Sequence, residues 1–215
     1  MDKIDSFIEA LAGAKVSLDA YNQYAPGDKN NDIRRQNLRL YFQHILARKP
    51  SMLLVGEAPG YRGCRLTGLP LVSRKILLEG IPELNLFGAK QGYLETYDPG
   101  FESIKGEQSA TIVWNTLKTY GVVPLIWSTF PFHPHQPDKP LTNRAPRRDE
   151  ITAGKVFLGQ VVKMADFKRV IAVGNVAEGA LQSLGVDCIK VRHPAQGGKN
   201  DFVRGIQEVM GKKGF

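Results

Sequence analysis

Glu57 lies inside a glycine-rich elbow. The stretch LLVGEAPGYRG, residues 53–63, sets an apolar run against a glycine, the carboxylate, a proline and two more glycines. A carboxylate held by a rigid turn at a strand end can act as a general base or stabilise developing positive charge. His193, in VRHPAQGG, follows another short apolar run, and Pro194 restrains its backbone. An imidazole there is a candidate hydrogen-bond donor or proton carrier, the alternative being a satisfied structural histidine.

Other groups point elsewhere. His133 and His135 in FHPHQP form a metal reading if His193 or Glu57 adds a third ligand, but a spaced histidine pair in a proline-rich loop is a weak signal, and no metal is expected. The two cysteines, Cys64 and Cys188, exclude a four-thiolate zinc site or an iron–sulfur cluster built from this chain alone. Glycines 56, 60, 63 and 68 are turn punctuation or a phosphate cradle, and neither G-x-G-x-x-G nor G-x-x-x-x-G-K-[ST] occurs. Arg144, Arg147 and Arg148 in NRAPRRDE open a predicted helix, either as a solvated face or as contacts to phosphate.

The elements that must position these groups can be read from periodicity. From Asp32 to Arg48, Leu38, Tyr41, Phe42 and Ile45 recur at helical spacing while Arg34, Arg35, Arg39 and Arg48 fall elsewhere, an amphipathic helix closed by Lys49-Pro50. Four apolar runs predict strands: SMLLV (51–55), VVPLIW (122–127), RVIAV (169–173) and CIKV (188–191). Between them SATIVWNTLKTYG, DEITAGKVFLGQVVKMA and NVAEGALQSLG carry helical patterning. Alternating helix and strand predicts an α/β fold with a parallel sheet covered on both faces. The least regular stretches are 58–72, 80–106 and 128–148. In such a sheet the loops leaving the carboxyl ends of strands, here after residues 55, 127 and 191, gather along one edge where ligands bind.

At 215 residues, with no low-complexity linker, the chain reads as a single domain, 1–215, with an N-terminal helical extension at about 1–48. An apolar fraction of 42% without a membrane-length apolar run excludes a membrane span, and the acidic start does not resemble a signal peptide, so a cytoplasmic location is expected. The net charge of +8 favours polyanionic partners such as nucleic acid.

GEAPG after the first strand, TGLPLVS after it, NRAP after the second strand and HPA after the last resemble the uracil-DNA glycosylase superfamily, in particular its GEAPG-type families without their iron–sulfur cluster. The match spans roughly residues 50–210. It implies a three-layer α/β/α sandwich around a central four-stranded parallel sheet. It also implies hydrolysis of the N-glycosidic bond of uracil flipped out of DNA, the opening step of base excision repair. Glu57 would face the cationic sugar and His193 the departing base. Gly56, Ala58, Pro59, Gly60, Tyr61, Leu71 and Ser128 would line the base pocket. Arg62, Arg144, Arg147, Arg148, Arg192 and Lys199 would contact DNA. The implied enzyme is a monomer without cofactor or membrane partner. It is monofunctional, since no lysine stands in these motifs as a Schiff-base nucleophile.

Three positions depart from the pattern. Leu71 replaces a stacking phenylalanine, YRGCR replaces a stretch holding a second acid, and Ser128 replaces an asparagine that reads the uracil edge. Two rival readings follow: a catalytically weak or inactive protein of this fold that binds nucleic acid or abasic sites, and a metal-dependent hydrolase built on the loop histidines.

Overall fold

The computed structural model describes residues 2–211; Met1 and residues 212–215 of the expected domain lie outside the described residues. Along the chain run α1 (Lys3–Ala12), β1 (Ala20–Tyr21), α2 (Lys29–Ala47), β2 (Met52–Gly56), α3 (Cys64–Thr67), α4 (Arg74–Glu79), α5 (Gln108–Thr119), β3 (Leu125–Ser128), β4 (His133–Pro134), α6 (Arg148–Val161), β5 (Arg169–Val173), α7 (Asn175–Ser183), β6 (Ile189–Val191) and α8 (Lys199–Gly211). The four apolar runs form one parallel sheet in the order β3-β2-β5-β6, while β1 and β4 pair separately and antiparallel. With helices on both faces this is the α/β/α sandwich expected from the sequence.

The differences from expectation lie at element ends and have local causes. The β3 run begins at Leu125 rather than at residue 122, because Pro124 has no N–H to give to the ladder. Helix α2 starts earlier than its apolar spacing, at Lys29, because the Asp28 side chain caps the Asn30 N–H.

Helix α2 covers the free edge of β3. The Tyr41 hydroxyl accepts the Ile126 N–H (2.7 Å) and donates to the Ile126 carbonyl (3.2 Å), so one side chain satisfies the edge backbone. Phe7 of α1 meets Phe42, Trp127 and Phe157 edge-on at 5.5, 5.3 and 6.0 Å, which joins both N-terminal helices to β3 and α6.

Arg34 does not lie on a solvated face: it is fully buried. Its guanidinium pairs with Asp98 and donates to the Leu66 carbonyl and the Asn31 side chain. Arg74, also buried, reaches the other Asp98 oxygen at 3.2 Å. One carboxylate from the irregular 80–106 stretch thus draws two arginines inward, where leaving either unpaired would be costly.

Candidate active site

The parallel register brings Gly56 at the end of β2 opposite Ser128 at the end of β3, and Val173 opposite Val191. At this sheet edge a cavity of about 510 Å³ opens. Beyond the last register pair, Thr129 donates its N–H and its hydroxyl to the Gly56 carbonyl (2.9 and 3.0 Å), and the Phe130 N–H bonds the Glu57 carbonyl (3.0 Å). The elbow backbone is therefore clamped by the continuation of β3. That continuation is itself pressed by α6: a Cβ on Gly154 would stand 2.2 Å from the Thr129 carbonyl, so only glycine permits the approach.

Glu57 faces this cavity and is partly buried. Among the described residues its carboxylate has no hydrogen-bond or ion-pair partner, and burial raises its pKa above the ordinary 4.5. His193 lines the same cavity from beyond β6. Its Nδ1 accepts the Ala195 N–H at 3.1 Å. A backbone N–H can only donate, so Nδ1 is bare and the proton of the neutral ring sits on Nε2. Burial, and then the neighbouring Arg192, hold the pKa of His193 below the ordinary 6.5. The loop folds so tightly that a Cβ on Gly198 would meet the His193 carbonyl at 2.1 Å.

Gly56, Ala58, Pro59, Gly60, Leu71 and Ser128 also line the cavity. Leu71 adopts a left-handed backbone, φ +52, and its carbonyl accepts the Trp114 indole N–H at 2.9 Å. Tyr61 is not part of the lining: its N–H bonds the Asn143 side chain (3.0 Å), tying the elbow to the NRAP segment, while Arg62 stacks on the Tyr61 ring.

The basic residues divide. Arg144 touches the cavity wall, yet its guanidinium donates to Glu150 at 2.6 and 2.7 Å and to the carbonyls of Asp19, His135 and Ala145. All five donors are committed, so Arg144 is a strut rather than a free phosphate ligand. Arg147 is likewise paired with Asp19 and Glu150. Burial pushes Glu150 up, but Arg144 and the Arg147 N–H outweigh it and hold the carboxyl at about 2. Arg148, Arg192 and Lys199 are exposed and form no ion pair among the described residues, and Arg192 borders the cavity.

His133 and His135 do not line the cavity. His133 is fully buried with Nε2 2.9 Å from the Thr142 carbonyl, and burial, with Arg65 nearby, pushes its pKa down to about 3. Among the described residues no group of three or more His, Cys, Asp or Glu side chains is placed to hold a metal ion.

The cavity also takes residues to which the sequence reading gave no place in it: Glu107 and Ser109, together with Asn143 of NRAP and Cys64. Glu107 caps α5, accepting the N–H groups of Ser109 and Ala110 at 2.9 Å each. Burial nonetheless raises its pKa. The available signal was a polar residue just before a helical pattern. Burial pushes the Cys64 thiol up to about 12, so it is neutral. A second cavity of about 400 Å³, between α4 and α5, shares no lining residue with this one.

No protein-family model matches the chain, and no curated protein matches it. Among solved structures, the chain is similar to SMUG2 of Pedobacter heparinus, with a TM-score of 0.62 at 14% sequence identity, covering 96% of this chain and 97% of that one. At that identity the likeness establishes a shared fold.

Proposed function

We propose that the chain is a monofunctional DNA glycosylase that hydrolyses the N-glycosidic bond of uracil flipped out of DNA. The observation that carries this reading is the pairing, across one cavity at the sheet edge, of an unpartnered carboxylate with a neutral imidazole whose donor is Nε2. The fold shared with Pedobacter heparinus SMUG2 and the four glycosylase-like motifs support it.

Departure of uracil leaves positive charge at the sugar C1′ and negative charge on the base. Glu57 stabilises the first and takes a proton from the attacking water as its oxygen bonds to C1′. The electron pair of the broken C1′–N1 bond goes to uracil, and the His193 Nε2–H donates a hydrogen bond to an oxygen of that anion. Uracil leaves as a delocalised anion, so one donor does the work of the second carboxylic acid used in O-glycoside cleavage. Leu71 forms an apolar wall for the base, and Arg148, Arg192 and Lys199 contact phosphate.

The test is a labelled uracil-containing oligonucleotide incubated with the purified chain in EDTA, followed by alkaline cleavage of abasic sites. Strand scission is expected for the parent. Glu57→Gln should lower turnover by at least roughly a hundredfold with DNA binding retained. Ser128, which offers one hydroxyl where an amide would offer a donor and an acceptor, favours the second reading, an abasic-site binder. Tight binding to abasic DNA with no scission by the parent would establish it.

A further inference from the structure

Resting on the glycosylase reading, we propose that Glu107 reads the flipped base, its carboxylate accepting a hydrogen bond from a ring N–H that lies beside a carbonyl. The substrate class is then bases with an imide or lactam N–H, such as uracil and hypoxanthine. Glu107 supplies the acceptor, and the Ser128 hydroxyl supplies the donor to the neighbouring carbonyl.

The cavity that holds Glu57, Leu71, Ser128 and His193 also holds Glu107. Each Glu107 oxygen accepts one backbone N–H from the first turn of α5 and the Ser109 side chain also bonds the carboxylate, which fixes it and still leaves a lone pair for a ligand. Capping alone does not call for glutamate, because serine, threonine, aspartate and asparagine cap better with shorter side chains. The extra reach is accommodated across the gap: a Cβ on Gly63 would stand 3.3 Å from Oε2, so the elbow segment leaves room for the carboxylate. The same helix fixes the wall of the pocket, since Trp114 of α5 holds the Leu71 carbonyl. Glu107 thus brings a second acid to the cavity from a different element, where the segment after the elbow, YRGCR, has none. Among the described residues Glu57 has no hydrogen-bond or ion-pair partner and is available to water, whereas Glu107 is anchored and suited to recognition.

The experiment measures inhibition of uracil excision by free uracil and by 3-methyluracil, in which a methyl group replaces the N3–H, the one ring N–H that uracil keeps when N1 is bonded to the sugar. For the parent, uracil should inhibit at least about tenfold better, the worth of one hydrogen bond to a charged acceptor. Glu107→Ser keeps a capping oxygen but withdraws the carboxylate, and the advantage should fall to within about twofold while melting temperature and affinity for an abasic-site oligonucleotide hold. Glu107→Asp, which keeps cap and charge at shorter reach, should behave as the serine variant does. A parent that does not distinguish the two free bases, or a serine variant that keeps the parental ratio, overturns the assignment. So does an equal weakening of both inhibitors in step with melting temperature, the signature of a cap alone. A parent that excises no uracil overturns the glycosylase reading itself and this inference with it.

Discussion

The proposed mechanism asks opposite treatment of Glu57 and His193 from one pocket, and burial acts on them in opposite directions. Burial lifts the Glu57 pKa above 4.5, so this carboxylate takes up its proton at a higher pH than an exposed one, whereas His193 is held below 6.5 and is neutral at pH 7. In the proposed mechanism Glu57 ceases to act as base when it takes up its proton as pH falls, so kcat/KM is expected to be level around neutrality and to decline through a one-proton acid limb. In Glu57→Gln the residual activity should lose that limb. A profile from about pH 4 to 9 that keeps the limb in the variant assigns it to another group. The place of Glu57 and His193 at the sheet edge was legible in the sequence because each closely follows a strand run within a short motif. Glu107 was not, because its place in the pocket depends on how α5 docks beside a loop far away in the chain.

Elements were legible where burial is repetitive and obscure where one long-range partner decides. The strands and the main helices follow from apolar periodicity. Arg34 was read outward because nothing near it in the sequence announces Asp98. The NRAP segment repeats this lesson at the site in part: arginines that look available for phosphate are bound to Glu150, a few residues on in the same stretch, and to Asp19, 125 or more residues upstream. Arg144→Ala should therefore destabilise the fold by roughly 3 kcal/mol, because it strips the buried Glu150 of its main partner. It should leave the salt dependence of DNA binding unchanged. Arg148→Ala should do the reverse, flattening the logarithmic salt slope by about one unit with melting temperature intact. Thermal melts and binding titrations at several salt concentrations separate the two.

For the molecule as a whole, the first two helices share one hydrophobic core with the motif-bearing region. Phe7 is 2% exposed and touches rings from α2, β3 and α6, so Phe7→Ala should cost about 3 kcal/mol in a chemical melt. A cost below about 1 kcal/mol would make α1 an ornament of the fold. The same contacts bear on synthesis. Phe7 and Phe42 emerge from the ribosome first, yet the partners that cover them, Trp127 and Phe157, and the Glu150 that receives Ser17, come far later. Until then Phe7 and Phe42 have each other but not their later partners, and the nascent chain carries a partly uncovered aromatic face. A partly uncovered face of this kind favours chaperone binding and makes yield in a cell sensitive to the pace of translation.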